Sequence, residues 1–165
     1  MAGKVVNVVV AGLGGQGVLK ASDILADATF RAGLDVKKAE VHGMSQRGGS
    51  VRSDVRFGGQ VFSPMVPNGQ ADFLVVLAAD QVEPNLPCLR AGGILISPQQ
   101  VDENLLPNSR SRNVALLGVL SAYLELPESQ WVTAIRANLP PAHHDANCQA
   151  FAVGRRIGMA APRKV

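Results

Sequence analysis

Val5, Val6, Val8, Val9 and Val10 form an almost unbroken apolar run, and Gly12-Leu13-Gly14-Gly15-Gln16-Gly17 follows at once. This junction constrains the fold more than anything else in the chain. An apolar run without polar alternation reads as a strand covered on both faces, the habit of a parallel sheet. After the glycines, Val18, Ala21, Leu25, Ala28 and Ala32 recur at helical spacing, and Gly33 stands where a C-cap belongs. G-x-G-x-x-G between a buried strand and a helix is an anion-binding context. The glycines let the backbone turn and approach a ligand. The first N–H groups of the helix are unpaired, and the helix dipole favours negative charge beside them. No Lys-Ser or Lys-Thr pair follows, so the loop is not a P-loop.

Residues 36–41 read as a second strand. Val51, Ser53, Val55 and Phe57 alternate with Arg52, Asp54 and Arg56, the period-two pattern of a half-exposed strand. Gly58-Gly59 predicts a tight turn with a return over residues 60–63, ended by Pro64 and Pro67. Residues 73–78 form another apolar strand, and residues 94–97 a short one after Gly92-Gly93. Asn113 is placed to cap a helix running through Leu124. Pro127 and Glu128 suit the first turn of the next, with Trp131 and Ile135 on one face. A last helix is expected over residues 146–159. The order predicts one α/β domain over residues 1–165. It is Rossmann-like and mainly parallel, with helices on both faces and an antiparallel hairpin near residues 51–63.

The composition agrees with this and excludes several functions. A chain of 165 residues with 47% apolar and 18% charged residues is globular and long enough for one real core. The net charge of +3 is spread along the chain and implies no nucleic acid partner. Arg155, Arg156, Arg163 and Lys164 read as a solvated helix end and tail. Cys88 and Cys148 are far apart and in no C-x-x-C pair, which excludes a disulfide framework and any all-cysteine iron–sulfur or zinc site. His143 and His144 are adjacent, and neighbouring histidines rarely hold one ion, so no metal site is expected. No apolar run reaches membrane-spanning length, and residues 1–4 do not read as a signal peptide. The expectation is a cytoplasmic protein with no membrane partner.

A dinucleotide site needs a ribose-binding acid about 20 residues past the glycines. Asp35 comes slightly early and Glu40 slightly late. The loop therefore reads in two ways. Gly12, Gly14, Gly15, Gln16 and Gly17 contact an anion or cofactor, or they only permit close packing. A second constellation, His42-Gly43-Met44-Ser45-Gln46-Arg47-Gly48-Gly49, crowds polar and flexible residues between two strands, where open α/β sheets bind ligands. Gly43 to Gly48 is one residue too long for the G-x-S-x-G of a serine nucleophile. His42 has no metal-ligating neighbour. The planar fork of Arg47 suits carboxylate or phosphate. His42, Ser45, Gln46, Arg47, Gly48 and Gly49 are thus candidates for anion or partner contact, against the plain alternative of a polar connection that satisfies itself. The two segments are expected on the same side of the sheet. No catalytic acid or base is assigned.

Together these residues carry a resemblance. The glycine loop after a valine-rich strand, then His-Gly-Met-Ser-Gln-Arg-Gly-Gly, Ser63-Pro64 and Ala71-Asp72, resembles the gamma subunit or domain of 2-oxoacid:ferredoxin oxidoreductases. The His42 to Gly49 variant looks most like the small subunit of the indolepyruvate enzymes. Asn113 with Ala115-Leu116-Leu117-Gly118, Asn147, Ala150-Phe151 and Gly154-Arg155 extend the likeness along the chain. The resemblance implies a Rossmann-like fold and a share in oxidative decarboxylation of a 2-oxoacid to an acyl-CoA, with electrons passed to ferredoxin. This chain has no Gly-Asp-Gly thiamine-binding segment and no cluster cysteines. The resemblance therefore implies a large partner subunit that carries thiamine diphosphate, Mg2+ and the iron–sulfur clusters, with coenzyme A as cosubstrate of the complex. A free-standing NAD(P)- or FAD-binding domain and a non-catalytic assembly module are the rival readings.

Overall fold

The computed structural model describes residues 3–42 and 48–163. Five strands form one sheet in the order β2-β3-β1-β4-β5: β1 (Val6–Leu13), β2 (Asp35–His42), β3 (Ser50–Gly58), β4 (Ala71–Val76) and β5 (Leu89–Ile96). β1 lies at the centre, and Val8, Val9, Val10 and Ala11 are fully buried, as a strand covered on both faces must be. β4 and β5 continue from β1 in parallel, whereas β3 runs antiparallel to both β1 and β2. Four strands therefore share one direction and β3 alone opposes them.

The helices are α1 (Val18–Arg31), α2 (Val82–Asn85), α3 (Arg112–Ser121), α4 (Glu128–Asn138) and α5 (His144–Ala160). They flank the two faces unequally. Val8 and Val10 meet the larger core, with Leu25, Leu116, Leu117, Trp131, Ile135 and Phe151. Val9 and Ala11 meet a smaller one, where Leu74, Val76, Val66 and Cys88 pack with Val82 of the single-turn α2. α1 buries Val18, Ala21, Ile24, Leu25 and Ala28 on one stripe. It stops where Gly33 takes φ +85°, and the Gly33 and Leu34 amides donate to Phe30 O and Thr29 O at 2.9 and 3.2 Å. That is the glycine stop expected from the sequence. Trp131 and Ile135 are both fully buried, on one face of α4 as predicted. Among the described residues no helix is long and apolar enough to cross a membrane.

Several local expectations need correction. The antiparallel part of the sheet exists, but residues 60–63 form no strand. β3 already has β1 on one edge and β2 on the other, so no edge remains for a return after Gly58-Gly59. The segment instead folds over the second face. Arg56 Nη1 donates to Ser63 O at 2.8 Å and the Val66 amide to Asp54 Oδ2 at 2.8 Å. The outward charges of β3 thus hold a loop rather than face water. β5 runs straight through Gly92-Gly93, with a register shift against β4. Asn113 is the second residue of α3, and Ser111 takes the cap position. α5 begins at His144 instead of residue 146. Among the described tail cations, Arg155 donates to Ser121 Oγ at 2.9 Å, and Arg163 donates to Ala122 O and stacks on Tyr123; Lys164 lies outside the described residues.

Asp35 gives this scaffold one acid-sensitive joint. Its Oδ2 accepts the Val61 amide at 2.7 Å, and Lys37 Nζ stands 3.6 Å away. The Val61 amide above all, helped by Lys37 and opposed by desolvation, holds the carboxyl below its ordinary 3.8. A lowered carboxyl contributes stability above pH 3.8 that is lost as pH falls through its folded-state value. The Val61 amide resonance is therefore expected to titrate with a midpoint below 3.8 and to stop titrating in Asp35→Asn. A midpoint above 3.8 would contradict the assignment.

Candidate functional site

The sheet divides between β1 and β4. From β1 the chain leaves through α1 toward β2, and from β4 it leaves through α2 toward β5, on the opposite side. Connections that splay in this way open a crevice at the carboxyl ends of the strands. Leu77, whose amide donates to Ala11 O at 2.8 Å, closes the gap just past β4.

The glycine loop lies on this crevice, and its residues divide into two groups. Gly12 and Gly14 serve packing. A Cβ on Gly12 would stand 2.9 Å from Gln16 Oε1 and from Val18 Cγ2, and the Gly14 amide donates to Gly49 O at 2.9 Å. Gln16 accepts the Leu13 amide on Oε1 at 2.8 Å and so locks the turn. Gly15 and Gly17 both take φ +85°, which only glycine adopts freely. Gly17 is the N-cap of α1 and has no side chain to satisfy the first-turn N–H groups.

The Gly14–Gly49 bond joins the two glycine-rich segments at one end of the sheet, as expected. Leu13 lies opposite Ser50 in the register and Gly12 opposite Val51. His42 ends β2 opposite Val51, half exposed, with Nε2 3.8 Å from Glu40 Oε2. Ser45, Gln46 and Arg47 lie outside the described residues.

A cleft of about 430 Å³ opens between Gly15, Gln16 and Gly17 on one side and Ser109, Arg110, Arg112 and Asn113 on the other, with Leu77 between. A second, of about 440 Å³, shares Ser109, Arg110 and Asn113 and continues to Leu139, His143 and Asn147. Residues 109–113 were not among the candidates, although one signal was in the sequence. Arg110 and Arg112 flank the N-terminus of α3, the end of a helix where its dipole disfavours cations. Neither α1 nor α3 has an acid in its first turn. α1 has no side-chain cap, whereas at the start of α3, where Ser111 Oγ donates back to Asn108 O, the Arg112 amide donates to Ser109 O and the Val114 amide to Asn113 Oδ1. Arg112 meets the Glu103 carboxylate, yet its Nε is buried with no hydrogen-bond partner among the described residues. The cleft thus combines two guanidinium groups with the uncapped N-terminus of α1, and no acid is among its lining residues. Such chemistry fits a phosphate or carboxylate carried without a metal ion.

It does not fit a nicotinamide site. β3 stands between β1 and β2, which puts β2 two strand spacings, about 10 Å, from β1. Asp35 is committed to Val61 at the far end of β2, and Glu40 binds Lys38 Nζ at 2.7 Å. Neither acid lines the cleft. Nor does the donor set fit an iron–sulfur cluster. Cys88 packs in the second-face core, where burial pushes its thiol pKa up, and Cys148 packs against the first.

Residues 7–109 match the family described as pyruvate ferredoxin/flavodoxin oxidoreductase. The chain belongs to that family. It is 36% identical, over 190 aligned positions, to the indolepyruvate oxidoreductase subunit IorB of Thermococcus kodakarensis, across 90% of this chain and 93% of the relative. In fold it is similar to the keto/oxoacid ferredoxin oxidoreductase gamma subunit of Geobacter sulfurreducens, with TM-score 0.80, 22% identity and coverage of 94% and 99%. It is equally similar to part of the 2-oxoglutarate:ferredoxin oxidoreductase of Magnetococcus marinus, with TM-score 0.83 and 20% identity. That likeness covers 98% of this chain and 32% of the other. In this family member the motif residues divide between cleft and scaffold. Asp72 is scaffold. It accepts the Asn7 amide at 2.9 Å and Arg90 Nε at 2.7 Å, tying β1 and β5 to β4. The stretch matching the oxidoreductase family ends at Ser109, so Arg110, Arg112 and Asn113 lie just beyond it.

Proposed function

We propose that this chain is the small, non-thiamine-binding subunit of a 2-oxoacid:ferredoxin oxidoreductase of the indolepyruvate type, and that its cleft receives phosphate groups of coenzyme A. The complex converts a 2-oxoacid and coenzyme A to an acyl-CoA, carbon dioxide and one proton, and two electrons pass to ferredoxin. Thiamine diphosphate, Mg2+ and the iron–sulfur clusters belong to a larger partner subunit. The carrying observation is the acid-free, arginine-lined cleft at the point where the sheet divides. The Thermococcus relative supports the indolepyruvate assignment. The Magnetococcus enzyme is described with 2-oxoglutarate, coenzyme A and succinyl-CoA bound, and the likeness leaves most of its chain unmatched.

Within this reading the chain binds and orients. Gly15 and Gly17 let the backbone approach the anion, the first-turn N–H groups of α1 donate to it, and Arg110 and Arg112 bring positive charge from the start of α3. Gly12, Gly14 and Gln16 hold the loop in shape. His42, Ser45, Gln46, Arg47, Gly48 and Gly49, on the connection that meets Gly14, contact the partner subunit or the same anion.

The test is reconstitution with the larger subunit. Reduction of ferredoxin, dependent on both 2-oxoacid and coenzyme A, is expected only when both subunits are present. Arg110→Ala and Arg112→Ala are each expected to raise the KM for coenzyme A about tenfold, the worth of one charge-assisted hydrogen bond, with the KM for the 2-oxoacid unchanged. Full activity from this chain alone, or an unchanged KM for coenzyme A in both variants, would overturn the proposal.

A further inference from the structure

The two sides of the cleft come from residues almost a hundred positions apart in the chain, and one buried side chain joins them directly. Asn113, 8% exposed, lies where the two clefts meet. Its Nδ2 donates to Gly17 O at 3.2 Å, and its Oδ1 accepts the Val114 amide at 2.9 Å. Gly17 O already accepts the Ala21 amide at 2.9 Å, the first bond of α1. The Asn113 bond therefore comes from the side and ties the N-terminus of α1 to that of α3.

The contact is a matched pair. A Cβ on Gly17 would collide with Asn113 Nδ2, so the amide approaches this closely only because position 17 is glycine. Gly17 has φ +85° and no side-chain cap, so it cannot brace itself against α3. Stability does not depend on this bond alone. Val18 of α1 and Val114, Leu116 and Leu117 of α3 share one apolar core regardless of it. Without the amide bond the helices would remain packed, but the spacing of their N-termini would no longer be set.

We propose that Asn113 is a positioning residue whose side-chain amide, bound to the Gly17 carbonyl, fixes the width of the cleft so that the uncapped N-terminus of α1 and the arginines at the start of α3 engage one anion together. This rests on the reading of the cleft given above. The substrate affected is coenzyme A, and the 2-oxoacid and the chemistry on the partner subunit are not.

The experiment uses the reconstituted complex with Asn113→Asp, which keeps the size and removes the donor, and Asn113→Ala, which adds no charge. Each is expected to raise the KM for coenzyme A about tenfold, as the loss of one hydrogen bond would. The kcat at saturating coenzyme A and the KM for the 2-oxoacid should stay within about twofold, with assembly intact. Inorganic pyrophosphate, offered as a competitor, should lose affinity by the same factor. If Arg112→Ala raises the KM for coenzyme A and neither Asn113 variant does, the positioning role is wrong and the cleft reading stands. If all three and Arg110→Ala leave it unchanged, the cleft reading itself fails. If kcat, both KM values and assembly decline together, Asn113 is scaffold and the proposal is overturned.

Discussion

Gly154→Ala is expected to destabilise the chain by about 3 kcal/mol, the upper end of what overpacking does. For a chain of this size that lowers Tm by roughly 6–12 °C. α3 and α5 are the most extensively paired helices, and they meet backbone to backbone. A Cβ on Gly154 would enter the carbonyl oxygen of Ala115, one on Gly118 that of Phe151, and one on Gly158 that of Val119. No side-chain rotation relieves such a collision, because the obstructing atoms belong to the helices themselves. The helices must separate, and Trp131, Phe151, Leu116 and Leu117 lose packing with them. Met159→Ala, on the exposed side of α5, is the control and should stay within about 0.5 kcal/mol. Thermal unfolding followed by circular dichroism decides the matter. A Gly154→Ala protein that melts with the parent would show that the helices do not approach as described.

Asp54→Ala has a comparable effect for a different reason. Asp54 is 1% exposed and holds three donors: Arg52 Nε at 2.7 Å, Arg52 Nη2 at 3.1 Å and the Val66 amide at 2.8 Å. The carboxylate's hydrogen bond raises the Arg52 pKa against the opposing effect of burial, so Arg52 keeps its charge. Removing Asp54 leaves the Arg52 charge uncompensated, and because Arg52 keeps 28% of its side chain exposed the cost is about 3 kcal/mol, the low end for a buried pair. Here the Val66 amide is orphaned as well, which loosens the segment over residues 59–70, still tied to β3 by Arg56 and Ser63 O. Urea unfolding should show the loss, and proteolysis near the exposed Phe62 and Met65 should quicken. Arg52→Ala combined with Asp54→Ala should cost less than the sum of the two. Strict additivity would remove the claim that they act as a pair.

Much of this fold was legible in the sequence because the relevant signals are local. The valine run, the helical spacing from Val18 to Ala32 and the Gly33 stop each depend on neighbouring residues, and each is present as read. The strand partners were less legible. Alternation in residues 51–57 announces a strand with one polar face, but whether that face meets water, a loop or another strand depends on residues far away. Here Arg52, Asp54 and Arg56 bind the loop that was expected to pair as a strand. The candidate site was half legible for the same reason. The glycine loop carries a motif, but the opposing wall is built from residues 109–113, whose meaning appears only once α3 lies beside α1. Arginines at a helix start were the one local clue.

The placement of β3 also determines how the sheet ends. β2 and β5 become the rims, and neither offers a straight ladder to a stray strand. β2 carries Lys37, Lys38 and Glu40 along its length. β5 breaks register against β4 near Ala71, takes φ +74° at Gly92 and presents Arg90 beside it. Charged and irregular rims discourage sheets from adding to one another and so protect against aggregation. Edge-to-edge pairing through β2 or β5 is thereby disfavoured, whether the incoming strand belongs to a second copy or to another protein.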